Sequence, residues 1–218
     1  KSVLIHGTET GTRRRSLWQI SYPSGEAKQI TNDMTRFSIS LTADSNALAT
    51  VQGDQIAHVW IASIADAGRA KQVTSGSDLN VQPKWTTSGK IVFTRDSAGV
   101  SDLFMVDPNS GSPRQLTTNA GKNAFPEVSP DERYIVFESD RSGTNSIWRI
   151  DIDGSNPKQL VADNARSPNF SPDGREIIYA RSLNKFTIWK VSIEGGEPVQ
   201  LTDKESTSPR FSPDGKQF

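Results

Sequence analysis

The tetrapeptide Ser171-Pro172-Asp173-Gly174 decides the fold of this chain, because it returns at a regular interval along the sequence. An identical copy stands at 212–215, and degenerate copies stand at 129–132, 86–89 and 42–45. The third residues of the five copies lie at positions 44, 88, 131, 173 and 214, so successive copies are 44, 43, 42 and 41 residues apart. A period close to forty residues indicates a repeat architecture.

Other short segments keep the same phase as the tetrapeptide. Some begin with an aromatic residue, some begin with a proline, and others consist of aliphatic residues. No segment shows the helical period of 3.6 residues. The aromatic residues are Trp18, Trp60, Phe104, Trp148 and Trp189. About ten residues after each of them comes a second short strand, at 28–31, 71–74, 114–117, 158–161 and 199–202. Proline-led strands precede the tetrapeptide at 82–85, 125–128, 167–170 and 208–211, and aliphatic strands follow it at 91–93, 134–137 and 176–179.

Four short antiparallel strands per repeat of this length are typical of a β-propeller blade. The tetrapeptide suits the tight link between the first two strands, because proline presets φ at the second position of a type I turn and glycine fits the fourth. The sequence therefore predicts an all-β chain, a single β-propeller domain over residues 1–218 with five repeats of four-stranded antiparallel blades. The approximate blades are 1–31 with 207–218, then 35–75, 80–118, 123–162 and 165–203.

The two ends of the chain leave two alternatives for the ring. The chain opens on an aliphatic strand, Val3-Leu4-Ile5-His6, and stops just after a tetrapeptide. The C-terminal strand could therefore complete the first blade and close a five-bladed ring without exposed sheet edges, giving a monomer. Phe218 partly duplicates the position of Val3–Ile5, which favours instead a fragment of a ring of six or more blades that would form oligomers through its open edges.

The composition excludes several classes of function. The 218 residues include 25 basic and 25 acidic side chains, and without a basic excess no nucleic-acid partner is expected. No apolar run approaches the roughly 20 residues of a membrane span, so we expect no direct membrane insertion. The absence of cysteine excludes disulfides, thiolate metal ligands and a cysteine nucleophile.

The sequence contains no recognisable catalytic or metal-binding motif. Gly-x-Ser-x-Gly and His-Glu-x-x-His are absent, and the two histidines, His6 and His58, fall in or beside strands where we expect structural roles. Asp151-Ile152-Asp153-Gly154 resembles the opening of a calcium loop, but the remaining ligands are missing and a hairpin turn explains it. We therefore expect no enzyme activity, no metal and no cofactor.

Candidate ligand-binding residues follow from the alternation of side chains along the first strand of each blade, which lines the channel of a propeller. Four apolar residues are predicted to pack: Trp85, Val128, Phe170 and Phe211. The residues that precede them should face the channel together with a serine of the second repeat, and these are Ser38, Lys84, Glu127, Asn169 and Arg210. Their convergence would suit a polar peptide, an anionic or zwitterionic small molecule, or ordered water.

Arginines also recur just after the aliphatic strands, at Arg95, Arg141 and Arg181. Because they keep a nearly fixed phase, we expect them to solve a local structural problem, such as an ion pair between neighbouring blades. The five recurring aromatic residues are expected to pack between blades, and these are Trp18, Trp60, Phe104, Trp148 and Trp189.

Taken in order, four stretches of the chain resemble the TolB-type β-propeller repeat. They are Pro168-Asn169-Phe170-Ser171-Pro172-Asp173-Gly174, Ser139-Asp140-Arg141-Ser142-Gly143, Ile147-Trp148-Arg149-Ile150-Asp151 and Lys158-Gln159-Leu160. Residues 17–26 and 29–33 are similar to the C-terminal propeller modules of bacterial Ser/Thr kinases and winged-helix regulators. The resemblance implies a non-catalytic binding or sensory module with a protein or peptide partner, in the periplasm or another extracytoplasmic compartment. The alternatives are the gating propeller of a serine peptidase of the prolyl-oligopeptidase type, or a minimal or engineered propeller fragment.

Overall fold

The computed structural model describes residues 2–8, 15–30, 39–42, 48–50, 55–97, 99–118, 120–162, 164–212 and 214–218. Seven antiparallel strands lie in the described residues before position 79. The first sheet has the order β1 (Ser2–Thr8), β2 (Arg15–Ser21) and β3 (Ala27–Gln29). Two two-stranded sheets follow, β4 (Ile39–Leu41) with β5 (Leu48–Thr50) and β6 (Trp60–Ser63) with β7 (Asp66–Gln72).

The described residues after position 78 form three consecutive four-stranded antiparallel sheets, which we call blades 3, 4 and 5. Blade 3 contains β8 (Leu79–Trp85), β9 (Ile91–Ser97), β10 (Val100–Val106) and β11 (Arg114–Gln115). Blade 4 contains β12 (Asn123–Val128), β13 (Tyr134–Ser139), β14 (Ser146–Asp151) and β15 (Lys158–Val161). Blade 5 contains β16 (Ala165–Phe170), β17 (Glu176–Ser182), β18 (Phe186–Ser192) and β19 (Val199–Gln200). The predicted all-β propeller class is confirmed, and the described residues contain no helix.

The core lies between successive blades rather than inside any one of them. Residues of blades 3 and 4 share one buried cluster that includes Val92, Leu103 and Phe137. A second cluster joins blades 4 and 5 through residues such as Val136 and Tyr179. The first strands β8, β12 and β16 contact one another in this order, so they form the inner edge of the stack.

The ring is not closed by the C-terminal segment. Among the described residues, 207–218 form no strand and β1 pairs only with β2. Phe211 packs instead against Ile178, Ala180 and Ile188 of the neighbouring blade 5. The predicted completion of the first blade by residues 207–218 is therefore not formed.

Two of the tryptophans predicted to pack are exposed. Trp60 and Trp85 show 55% and 58% of their surface to solvent, whereas Phe170 shows only 7%. Phe170 packs against the four-stranded blade 4 that precedes it. Trp85 ends the first strand of blade 3 as Phe170 ends that of blade 5, yet only Phe170 is buried.

The recurring arginines stack on aromatic rings of their own blades. The guanidinium carbons lie 4.3–5.3 Å from the ring centroids, which is cation–π range, in the pairs Arg95 with Phe104, Arg141 with Trp148 and Arg181 with Trp189. All three arginines therefore stack inside their own blades, and Arg95 also forms an ion pair of 3.7 Å with Asp78, just before blade 3.

The Ser-Pro-Asp-Gly turns form a ladder in which each turn contacts the turn of the preceding blade. In blade 5, the Ser171 hydroxyl donates to Asp173 at 2.6 Å, and this hydrogen bond lowers the pKa of Asp173. Gly174 has a φ of +70°, and a Cβ added there would lie 3.3 Å from Cδ of Pro130 in the preceding turn. The next turn repeats this contact between Gly215 and Pro172.

The contact differs where blade 4 meets blade 3, because Thr87 occupies the proline position of blade 3. Glu132 stands at the glycine position of blade 4, with a φ of +56°. Its carboxylate accepts hydrogen bonds from the hydroxyls of Thr87 and Ser88 and from the Ser88 N–H, with 2.7 Å between Ser88 Oγ and Glu132 Oε2. A polar link therefore replaces the proline–glycine contact between these two turns.

We expect Glu132 to contribute stability that depends on pH. Desolvation would raise its pKa, but the hydrogen bonds from Thr87 and Ser88 outweigh it and lower the pKa to about 2, from an ordinary value of 4.5. A carboxyl group with a lowered folded-state pKa stabilises the fold fully above its unfolded value, and the contribution is lost as the pH falls from 4.5 toward 2. Glu132→Gln should remove this contribution, about 1 kcal/mol after screening by solvent.

Urea unfolding of the wild type and Glu132→Gln at several acidic pH values measures this difference. The two proteins should differ most near neutral pH and converge at the lowest pH. Thr87→Val, which removes one donor, should show a smaller effect of the same sign. A difference that stays constant across the acidic range would contradict the prediction.

Candidate functional site

A repeated backbone irregularity shapes the inner edge of the blades. The residue before the proline of the first strands β8, β12 and β16, and the equivalent residue after blade 5, have a φ between +52° and +56°, a region that residues other than glycine rarely adopt. These residues are Gln82, Phe125, Ser167 and Ser208. In β8, β12 and β16 the pairing register shifts at this point, which is a β-bulge and re-aims the side chains that follow.

The bulge residues link neighbouring blades through their N–H groups. The Phe125 N–H donates to Gln82 Oε1 in the preceding blade at 2.8 Å, and Thr94 Oγ1 donates to the same oxygen at 3.1 Å. The Ser167 N–H donates to Glu138 Oε1, again in the preceding blade, at 2.6 Å. Side-chain oxygens of one blade thus hold the bulge of the next in place.

Directly after the bulges, three charged side chains meet in one network. Lys84 Nζ of blade 3 lies 2.7 Å from Glu127 Oε1 of blade 4, and Arg210 Nη1 lies 2.9 Å from the same oxygen. The Glu127 side chain is 13% exposed, whereas those of Lys84 and Arg210 are 33% and 50% exposed. Blade 3, blade 4 and the segment that follows blade 5 therefore contribute to one spot, which we call the inner charge network.

The other two candidate residues have different positions. Asn169 Oδ1 accepts the N–H of Phe211 at 2.9 Å, so its side chain ties blade 5 to the segment that follows. Arg210 also donates to the Pro168 carbonyl at 3.4 Å, which places Asn169 beside the network. Ser38 lies outside the described residues.

The inner charge network carries more positive than negative charge. Two cations share a single carboxylate oxygen, which leaves a net charge of +1 and a half-exposed guanidinium. An arginine fork has five N–H donors, and only some of them are used by Glu127 and Pro168. Among the described residues, the remaining Arg210 donors have no acceptor, and half of the side chain faces solvent.

The described residues offer no metal site. No group of three or more histidine, cysteine, aspartate or glutamate side chains with suitable geometry occurs among them. Asp153 Oδ1 accepts the N–H and hydroxyl of Ser155 at 2.9 and 2.6 Å, as expected for a turn. Gly154, at the tip of this turn, has a φ of +92°. No helix in the described part of the chain is long and apolar enough to span a membrane.

One polar position escaped the sequence analysis. Glu138 lies at the end of the aliphatic strand β13 and is 8% exposed. Burial raises the pKa of its carboxyl group, against the opposing effects of the Ser167 N–H and the charges of Arg166 and Lys122. An acidic residue in an otherwise apolar strand was the available clue, but its partners belong to other strands and could not be read from spacing.

Comparison with known proteins places this geometry among propellers. The family model described as the TolB beta propeller domain matches residues 5–218. No curated protein gave a significant match. TolB from Acinetobacter baumannii is a similar solved structure, with a TM-score of 0.65 and 22% identity over 99% of this chain. This chain covers only 56% of that protein.

Two further structures show how widely the fold is shared. A putative TolB from Agrobacterium tumefaciens has a TM-score of 0.64 and 19% identity, and covers 100% of this chain and 88% of its own. A puromycin-hydrolysing peptidase of Mycobacterium tuberculosis has a TM-score of 0.56 and 14% identity, with 94% of this chain and 38% of the peptidase covered. At these identities the similarity concerns the fold alone.

Proposed function

Because this chain belongs to the TolB β-propeller domain family, we propose that it is a non-catalytic module that binds an acidic segment of a protein or peptide partner at the inner edge of its blades. The observation behind the proposal is the inner charge network, in which Lys84, Glu127 and Arg210 meet from three repeat units. Side chains that converge from separate repeats on the inner edge form a common place for ligand binding in propellers.

The charge of the network favours an anionic ligand. Glu127 neutralises only one of the two cations, and it is the least exposed of the three side chains. A carboxylate of the partner can therefore pair with Arg210 from the solvent side while Glu127 stays in place. Arginine–carboxylate pairing with two parallel hydrogen bonds would give both affinity and a defined orientation.

The location of the protein forms part of the same proposal. The family assignment supports a bacterial protein of the periplasm, serving as the binding part of a signalling or envelope system. The absence of cysteine is compatible with an oxidising compartment.

Binding of a fluorescent oligoglutamate peptide, followed by fluorescence anisotropy, tests the proposal. We expect Lys84→Ala and Arg210→Ala each to weaken binding about tenfold, since each removes a charge-assisted hydrogen bond. The free energy of unfolding should change by less than about 1 kcal/mol, because the pairs are partly exposed. Raising the salt concentration should weaken the wild-type complex by screening.

Arg175→Ala is the matched control, because it removes the same charge from an exposed turn of blade 5. An oligolysine peptide should not bind. The proposal is wrong if Arg175→Ala weakens oligoglutamate binding as much as Arg210→Ala, or if neither network variant changes it.

A further inference from the structure

A pocket of about 510 Å³ opens beside the bulges of β12 and β16. Its walls come from blade 4, from the start of blade 5 and from Thr207 and Ser208 of the next segment. This volume is within the usual range of small-molecule sites, roughly 300–1,000 Å³. None of the residues of the inner charge network lines it.

Two basic side chains give the pocket an excess of positive charge. Lys122 and Arg166 line it together with one carboxylate, that of Glu138. Neither cation lies within ion-pair distance of a carboxylate in the part of the chain that the structure describes. The Arg166 guanidinium is held over the Phe186 ring, 4.3 Å from its centroid. With Glu138 ionised, two cations and one anion leave a net charge of +1.

A backbone donor in the pocket wall lacks the partner that its equivalents have. The bulge N–H of Ser167 donates to Glu138, which stands opposite Ala124 in the preceding blade. In blade 5 the equivalent position, opposite Arg166, is occupied by Ala180. The alanine side chain has no acceptor, and the Ser208 N–H makes no hydrogen bond to any described residue.

We propose that this pocket binds a ligand carboxylate, which pairs with Lys122 and Arg166 and accepts the N–H of Ser208. The ligand carboxylate would thus take the place that Glu138 fills for Ser167 one blade earlier. One ligand carboxylate neutralises the net charge of +1. Phe125, 44% exposed at the pocket rim, and Asn145 provide an apolar and a polar surface for the rest of the ligand.

The source of the carboxylate is either a small organic acid or an acidic side chain of a peptide. Hippurate is a suitable probe, because it joins an aromatic ring, an amide and one carboxylate. Hippuramide is its neutral isostere. A blocked Ala-Glu-Ala tripeptide presents the same carboxylate on a peptide.

The test is an NMR titration of the wild type and five variants with these three probes. Hippurate should bind at least tenfold more tightly than hippuramide and should shift the Ser208 amide proton downfield. Arg166→Gln and Lys122→Gln should each weaken hippurate binding roughly tenfold. Glu138→Gln keeps an acceptor for Ser167 but removes a negative charge, so it should tighten binding. Arg175→Gln should change nothing.

The outcomes distinguish a small organic acid from an acidic peptide side chain, and two of them would contradict the proposal. Tighter binding of the tripeptide than of hippurate assigns the pocket to an acidic peptide side chain, and the reverse assigns it to a small acid. Equal binding of hippurate and hippuramide, or an unchanged affinity in both Lys122→Gln and Arg166→Gln, overturns the proposal. Lys84→Ala should leave hippurate binding intact, so failure at the inner charge network and failure at this pocket are distinguishable.

Discussion

Replacement of Phe170 by alanine is expected to lower the free energy of unfolding by about 3–5 kcal/mol. Phe170 ends the first strand of blade 5 and is 7% exposed. Its ring belongs to the cluster that joins blade 5 to Val136 and Ile147 of blade 4. The substitution leaves a cavity at the junction of two blades, and side chains fixed by two separate sheets cannot easily collapse into it.

Equilibrium unfolding in urea, followed by tryptophan fluorescence, measures this loss. Phe125→Ala is the control, because it removes the same ring from a side chain that is 44% exposed, and it should cost less than about 1 kcal/mol. Similar losses for Phe170→Ala and Phe125→Ala would show that the cluster between blades 4 and 5 does not determine stability.

The second large effect is expected for Asn123→Ala, with a loss of about 2–4 kcal/mol. Asn123 is fully buried at the start of blade 4, and its amide nitrogen lies 3.2 Å from a carboxylate oxygen of Asp102 in blade 3. Its amide oxygen accepts a hydrogen bond of 3.0 Å from Arg141. Alanine would leave the buried Asp102 carboxylate and the partly buried Arg141 guanidinium with fewer hydrogen bonds, which costs more than the loss of a neutral pair.

The same urea experiment tests Asn123→Ala, and Asn109→Ala, at an exposed turn, is its control. Asn109→Ala should change the free energy of unfolding by no more than about 0.5 kcal/mol. Asn123→Asp should also destabilise, because it places a second carboxylate against Asp102. If Asn123→Ala were as harmless as Asn109→Ala, the hydrogen bonds between blades 3 and 4 would be unimportant for folding.

The repeat phase was sufficient to predict the fold class, because the turn chemistry of Ser171–Gly174 and the strand order around it are local properties. Alternation along the first strands also put Lys84, Glu127 and Arg210 on a common side, and the structure brings these three together. That they bind a ligand stays a prediction.

The features that the sequence did not predict depend on contacts with residues in other blades. The exposure of Trp85 could not be predicted, because alternation along residues 82–85 gives it the same place as the buried Phe170 in blade 5. Among the described residues the Ser208 N–H has no side-chain acceptor, because alanine stands at position 180, 28 residues earlier, and this match is recognisable only once the blades are superposed. Long-range pairings of this kind have no periodic signature.

The contacts between successive turns imply that one repeat cannot replace another without loss of these contacts. Glu132 is matched to Thr87 and Ser88, whereas Gly174 is matched to Pro130, so each turn is adapted to one particular neighbour. Restoring the consensus glycine at position 132 alone would remove a link without supplying the proline that a glycine contacts. Blades shuffled into a new order would therefore meet mismatched neighbours, and a consensus design for this chain has to choose residues in pairs across blade boundaries.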